Sequence, residues 1–358
     1  MNNKILCLCT GMSPGGAERQ LSGLAVMLKE NGYNVEAAWY YKSDFFQSYL
    51  EENNVSCKHL YANSYVKQIV KINKEIKRFQ PDVIIAYLEG PALICSLLKN
   101  LGGNFKLIVS ERNTTQLLTL RRRFRFFLYR KVDHIVPNSY TQSNFITQHF
   151  PNLSEKITTI TNFTDTDFFS PSLLLKKKNA KTKILVVGRI NNQKNVHSFI
   201  KAISRIDNNK YNFHVDWFGN PTQGPYFEEC VNLVHKYNCG DIITFHAASH
   251  QIVDEYQEAD IFCLPSKYEG FPNVICEAMS CGLPILCGNI CDNASIVQEG
   301  VNGFLFNPFD ECSMTQTIIK MLELPSSSTK KMGEQSRKMA VEKFSKEVFI
   351  KKYITLLK

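Results

Sequence analysis

Short β-rich runs alternate with helical stripes along this chain, and the alternation begins twice. In the first half, residues 5–9, 35–41, 82–88, 106–110 and 134–137 are apolar or β-branched runs of strand length. Leu21, Leu24, Ala25 and Leu28 fall on one helical face, and Asn31-Gly32 stops that helix. The pattern breaks at 162–171 and at the polar stretch 176–181. It restarts with 183–188, 213–219, 242–245, 261–264 and 284–287. Strands separated by helices pair in parallel, with the helices covering both faces of the sheet. The fold class expected is therefore α/β with two Rossmann-like domains. At 358 residues the chain exceeds one typical domain, which agrees.

Composition narrows the class further. With 44% hydrophobic and 21% charged residues, the chain can bury full cores. Its net charge of +9 favours an anionic partner: nucleic acid, a membrane surface or a phosphorylated substrate. The 12 cysteines are scattered. Cys7, Cys9, Cys263, Cys276 and Cys287 sit in apolar segments, as small core residues do. The Cys276, Cys281, Cys287 and Cys291 group lacks paired C-x-x-C spacing, so no metal and no cofactor are expected. The apolar run after Lys4 is too short for a secretory leader, and no run of about 18 apolar residues suggests a membrane span. A reducing cytoplasm is the expected compartment.

The chemistry concentrates at Glu269-Gly-Phe-Pro-Asn-Val-Ile-Cys-Glu277. A buried strand precedes it and a helix stop, Cys281-Gly-Leu-Pro284, follows. One carboxylate thus lies on a loop and the other in a helix, beyond the carboxyl end of a strand, where α/β sheets bind ligands. Carboxylates accept hydrogen bonds from hydroxyls, and free N–H groups at a helix start face anions. Sugar hydroxyls joined to a diphosphate satisfy both. After the first strand of the second half, Gly188-Arg-Ile-Asn-Asn-Gln-Lys194 offers a planar fork and a point charge for phosphate oxygens. Gly11-Met-Ser-Pro-Gly-Gly-Ala-Glu-Arg19 lets backbone approach a phosphate, but lacks the G-x-G-x-x-G of dinucleotide binders.

Together these strings resemble the retaining glycosyltransferases of family 4, with the GT-B fold, of the bacterial surface-polysaccharide type. P-S-x-x-E-G-F-P-N-V-I-x-E-A-M-x-C-G-L-P carries most of the likeness; G-G-A-E-R, G-R-I-x-x-x-K and N-F-T-D-x-x-x-F-x-P add to it, the last with Phe163 where glycine is usual. The resemblance implies two Rossmann-like domains facing a central cleft. Residues 1–163, completed by a returning helix at 344–358, would bind acceptor, and 164–343 would bind the nucleotide sugar. It implies a catalytic set of Glu269, Arg189, Lys194 and Arg112. It implies donor contacts from Gly15, Gly16, Gly188, Arg189, Lys194, Gly219, Glu269, Gly270, Phe271, Pro272, Asn273, Val274 and Glu277. Glu277 would hold the ribose, Glu269 a sugar hydroxyl, and Arg189 with Lys194 the diphosphate. Many relatives carry His where Arg112 stands in Ser110-Glu-Arg-Asn113. Arg112 therefore reads either as a phosphate or sugar ligand or as a surface cation.

Two basic helices remain. Over 65–78, Tyr65, Ile69, Ile72 and Ile76 form one stripe, and Lys67, Lys71, Lys74 and Arg78 the opposite one. Over 117–131, Leu117, Leu120, Phe124, Phe127 and Leu128 recur at helical spacing among Arg121, Arg122 and Arg125. The plain reading is core-facing apolar residues with solvated cations. The sharper one is an acceptor or membrane surface for anionic lipid. The expected reaction moves a hexose or N-acetylhexosamine from a nucleotide-diphosphate sugar, UDP favoured over GDP, to a glycan or lipid-linked glycan acceptor. The expected setting is the cytoplasmic side, peripheral on the inner face of the cell membrane. Nucleic acid is not expected, for no binding motif accompanies the charge. Alternatives are a nucleotide-sugar epimerase of the same fold and a non-catalytic basic membrane or nucleic-acid module; the glycine spacing disfavours a dinucleotide oxidoreductase.

Overall fold

The computed structural model describes residues 3–113, 117–172, 181–249 and 251–358. The chain forms two units. Met1–Phe163 with Lys346–Lys358 make the first, and Thr164–Ser345 the second. Most of the polar stretch 176–181 lies outside the described residues.

The first unit holds a six-stranded parallel sheet of β1 (Lys4–Cys9), β2 (Asn34–Trp39), β3 (Ser56–His59), β4 (Val83–Tyr87), β5 (Lys106–Glu111) and β6 (His134–Pro137), in the order β3-β2-β1-β4-β5-β6. The second repeats this arrangement with β7 (Thr182–Val187), β8 (Phe213–Phe218), β9 (Ile243–His246), β10 (Ile261–Leu264), β11 (Ile285–Gly288) and β12 (Gly303–Phe306), in the order β12-β11-β10-β7-β8-β9. The central strands are apolar on both faces because helices cover both. Each unit has its own cores, one on each side of its sheet.

Two strands escape sequence reading, β3 and β12. Both lie at sheet edges and are short, and β3 is largely exposed and polar. β12 begins with Gly303, where a Cβ would overlap the Ile285 carbonyl of β11, so only glycine permits that register.

The returning helix is Lys346–Leu357, set off from the helix Ser326–Phe344 by an extended Ser345. Phe349, Tyr353, Leu356 and Leu357 enter the first unit's core beside Leu24, Leu28 and Ile85.

The two basic helices differ from expectation in opposite ways. Tyr65–Phe79 starts at Ser64, whose hydroxyl accepts from the Lys67 N–H at 3.3 Å, and it buries Ile72 and Ile76. Lys67, Lys71 and Lys74 are exposed, but Arg78 is engaged by Glu36 and Glu75. In Leu120–Leu128 the expected stripe is turned outward except at Leu128, which is buried. Leu120, Phe124 and Phe127 face out, as does Leu117 just before the helix, while Arg125 is only 2% exposed beside Phe126 and Leu128. The reason is electrostatic. Glu111, buried at the end of β5, needs a cation, and Arg125 meets it at 3.0 Å and Glu89 also at 3.0 Å. Tyr129 donates to the same Glu111. Arg125 is therefore no surface cation, and Arg122 also faces Glu89, at 3.5 Å.

Candidate functional site

Each sheet has one place where the strand order reverses, between β1 and β4 and between β7 and β10. Loops leaving such a pair diverge and open a crevice at the carboxyl ends. In the second unit those loops are 188–195 and 265–272, the two strings singled out by sequence.

The loops are tied together. The Lys267 N–H donates to the Gln193 carbonyl at 2.9 Å, Gln193 Nε2 to the Tyr268 carbonyl at 3.0 Å, and Lys267 Nζ to Asn192 Oδ1 at 2.6 Å. Asn191 caps the 3-10 turn Asn192–Lys194 by accepting from the Lys194 N–H at 3.1 Å. The Lys194 stem then lies over Gly188, where a Cβ would come within 3.1 Å of Cε. This delivers the ammonium to Glu269 Oε1 at 2.6 Å, with the side chains 13% and 9% exposed. Gly219, after β8, closes this corner. Its φ is +158°, and a Cβ there would overlap the Gly188 carbonyl. Arg189 is exposed, with no ion-pair partner among the described residues.

Glu277 is buried in the helix Asn273–Ser280, and its Oε2 accepts from the Tyr256 hydroxyl at 3.0 Å. No side chain caps that helix, whose N-cap is Pro272. Phe271 packs into the core against Phe344, ring centroids 5.8 Å apart, so it presents only backbone to a ligand. Val274 also packs on that core, while Gly270 and Asn273 are half-buried. The structure thus gathers Gly188, Arg189, Lys194, Gly219 and 269–277 around one switch point.

Gly15 and Gly16 belong to the first unit, at the start of the helix Gly16–Glu30. The Glu18 carboxylate folds back over Gly15, and burial pushes its carboxyl above the ordinary value. Arg112 is also in the first unit and is 7% exposed, so it is not a surface cation. It donates to Asn162 Oδ1 at 2.7 Å, to the Tyr353 hydroxyl at 3.0 Å and to the Tyr87 hydroxyl, and lies 4.1 Å over the Tyr87 ring. Those partners come from β4, the chain after β6 and the returning helix.

Three neighbours of the site were not assigned roles from sequence. Tyr256, twenty-one positions from its partner Glu277, carries no local signal. Cys291 takes φ +45° and is in hydrogen-bond contact with the Glu269 backbone. Ser266, inside the P-S-x-x-E string, is wholly buried at the end of β10, and its Oγ has no partner among the described residues. The four cysteines of the 276–291 group are free thiols, and burial pushes each upward. Among the described residues no cluster of His, Cys, Asp or Glu could hold a metal.

Comparison with known proteins adds family and fold. Residues 14–168 match the profile of Glycosyltransferase Family 4, and 173–339 that of Glycosyl transferases group 1. An uncharacterised glycosyltransferase of Haemophilus influenzae is 25% identical over 92% of both chains. A Campylobacter jejuni alpha-1,4-N-acetyl-D-galactosaminyltransferase acting on a GalNAc-containing diphospho-undecaprenol glycan is 23% identical over 88% of both. The crystal structure of Anabaena HepE in complex with UDP superposes with a TM-score of 0.87 at 18% identity, over 99% of each chain.

Proposed function

We infer the reaction from one premise: the chain belongs to the family 4 glycosyltransferases, with the GT-B fold. It moves a hexose or N-acetylhexosamine, with retention, from a nucleotide-diphosphate sugar to an acceptor hydroxyl on a lipid-linked glycan of a bacterial surface polysaccharide. The second unit holds the donor and the first the acceptor. The observation that carries this reading is the Lys194–Glu269 pair at the β7/β10 switch point, with Glu277 eight positions on. An incoming diphosphate draws Lys194 toward itself, together with Arg189 and the N-terminus of Asn273–Ser280. Glu269 then accepts from a sugar hydroxyl, and Glu277 from the ribose. These cations supply the charge a leaving diphosphate needs, so transfer proceeds without a divalent metal. UDP is favoured because a solved relative of this fold binds it, and the lipid-linked acceptor because a Campylobacter relative acts on one.

The reading sets the reaction at the inner face of the cell membrane, and the basic face of Tyr65–Phe79 supports it. No helix among the described residues is long and apolar enough to cross a membrane.

The test is thermal shift against UDP, GDP, ADP and NAD, then product analysis with the chosen sugar nucleotide, with and without chelator. A ligand at a hundredfold excess over its Kd stabilises by about 2.7 kcal/mol. A shift with one nucleoside diphosphate that Glu277→Gln loses, followed by chelator-resistant transfer with retained anomeric configuration, is expected. No shift with any diphosphate sinks the donor site. Formation of the epimeric sugar or sugar nucleotide from donor alone replaces transfer with epimerisation.

A further inference from the structure

The turn at Gly219 and Asn220, which closes the corner of the site, is held from two sides. On one side the Gly219 N–H donates to the His246 carbonyl at the end of β9 at 3.0 Å, and the Ala248 N–H donates to Asn220 Oδ1 at 3.0 Å. On the other, the Gly188 N–H donates to the Phe218 carbonyl at 2.9 Å and the Ile190 N–H to the Asn220 carbonyl at 3.1 Å. The Trp217 indole donates to the Gly188 carbonyl at 2.8 Å. The backbone on both sides of Arg189 is therefore set by where β8 and β9 end.

The His246 side chain fastens those two ends. Its ring stacks on Phe218, with centroids 4.4 Å apart and 13° between the planes, and its Nε2 lies 2.7 Å from Asp216 Oδ1. The imidazole is 36% exposed and the carboxylate 15%, so protons reach the ring while the carboxylate is shielded. Positive charge is scarce around this pair. Lys183 Nζ faces Asp216 at 3.7 Å, but it also meets Glu255 at 2.9 Å and Glu258 at 3.3 Å. In this group three carboxylates share one lysine. His214 stands farther from Asp216, at 3.6 Å, and its ring nitrogens also meet Thr244 Oγ1 at 3.1 Å and the Asp241 carbonyl at 3.3 Å. Histidine is the side chain that changes charge near neutral pH, and a hydrogen bond between charged groups is about twice as strong as a neutral one.

We propose that His246 is a positioning residue for the nucleotide, a proton-dependent strut whose pairing with Asp216 holds the Gly219 turn against Gly188. Protonated, it makes an ion pair with Asp216 and keeps the Phe218 stack in place. Neutral, it keeps one weaker hydrogen bond, and the corner loosens. Diphosphate affinity at Arg189 and Lys194 therefore falls as pH rises through the range in which histidine loses its proton. The inference rests on the donor reading above and adds to it a residue outside the Lys194–Glu269 pair.

The experiment titrates the full chain with UDP by calorimetry at about pH 6 and about pH 8. His246→Gln, Asp216→Asn and His214→Gln are run beside the parent. The Gln and Asn variants keep a hydrogen bond and remove one charge, so either serves if the other folds poorly. Relative to His246→Gln, so that the ionisation of UDP itself cancels, the parent should lose about fivefold more affinity between the two pH values. Asp216→Asn should lose as little as His246→Gln, and His214→Gln as much as the parent. Without nucleotide, in glycine-labelled protein, the Gly219 amide resonance should follow one histidine titration in the parent and stay fixed in His246→Gln. Three results overturn the proposal: the same pH response in the parent and His246→Gln, an equal flattening by His214→Gln, or a Gly219 resonance that does not titrate. A parent that binds no UDP at either pH sinks the donor reading instead, and the Gly219 resonance then decides the strut by itself.

Discussion

At the scale of single residues, one close pair stands at the proposed donor site, and the buried Arg112 ties three segments of the first unit together. Lys194 and Glu269 are 2.6 Å apart and little exposed, so removing either breaks a largely buried ion pair. Lys194→Met and Glu269→Gln should each cost about 3 kcal/mol, the double variant clearly less than their sum, as a urea-unfolding double-mutant cycle would read. Arg112→Lys keeps the charge but loses the fork that spans Asn162, Tyr87 and Tyr353. Its expected result is faster proteolysis of the returning helix with the UDP shift unchanged. Glu18 carries a pH signature. Its folded carboxyl stands above the ordinary value through burial, so between the unfolded and folded values the folded state holds more proton than the unfolded chain. Stability therefore falls as pH rises from the unfolded value through the folded one. Glu18→Gln should be more stable than the parent at pH 7 and match it near pH 4, measured by denaturant midpoints.

At the scale of elements, backbone approach and helix orientation decide what a segment can do. The turn after β8 passes so near the Gly188 carbonyl that any side chain at Gly219 collides with main chain. Gly219→Ala should lower the melting temperature and abolish the nucleotide shift together, because β7 and β8 end at the same corner. The helix Tyr65–Phe79 presents Lys67, Lys71 and Lys74 to solvent. Each lysine near an anionic surface contributes about 1 kcal/mol, so Lys→Gln at all three should weaken vesicle binding about a hundredfold at low salt. That loss should vanish at high salt, where surface charges are screened.

At the scale of the whole molecule, the chain leaves the first unit at Phe163 and returns to it at Lys346. Removing 346–358 takes Phe349, Tyr353, Leu356 and Leu357 from the first unit's core and Tyr353 from Arg112. Calorimetry should then show the first unit melting far earlier. The second unit should keep its transition, since its cores draw on none of those residues.

The central strands and the loops at the β7/β10 switch point were legible because their signals are local. Apolar runs such as 82–88 and 261–264 announce buried parallel strands, and glycine, proline and charge spacing around 188–194 and 269–277 announces the loops that follow β7 and β10. What the sequence withheld depends on partners far along the chain. Edge strands β3 and β12 are short and need a neighbour to exist. Tyr256 and Ser266 join the site only because β10 lies beside β7. The direction of Leu120–Leu128 was decided by Glu111, a buried acid on another element. Periodicity fixes which residues share a helical face. Which face turns inward is set by the cost of leaving a buried charge alone, and only the tertiary structure supplies that charge.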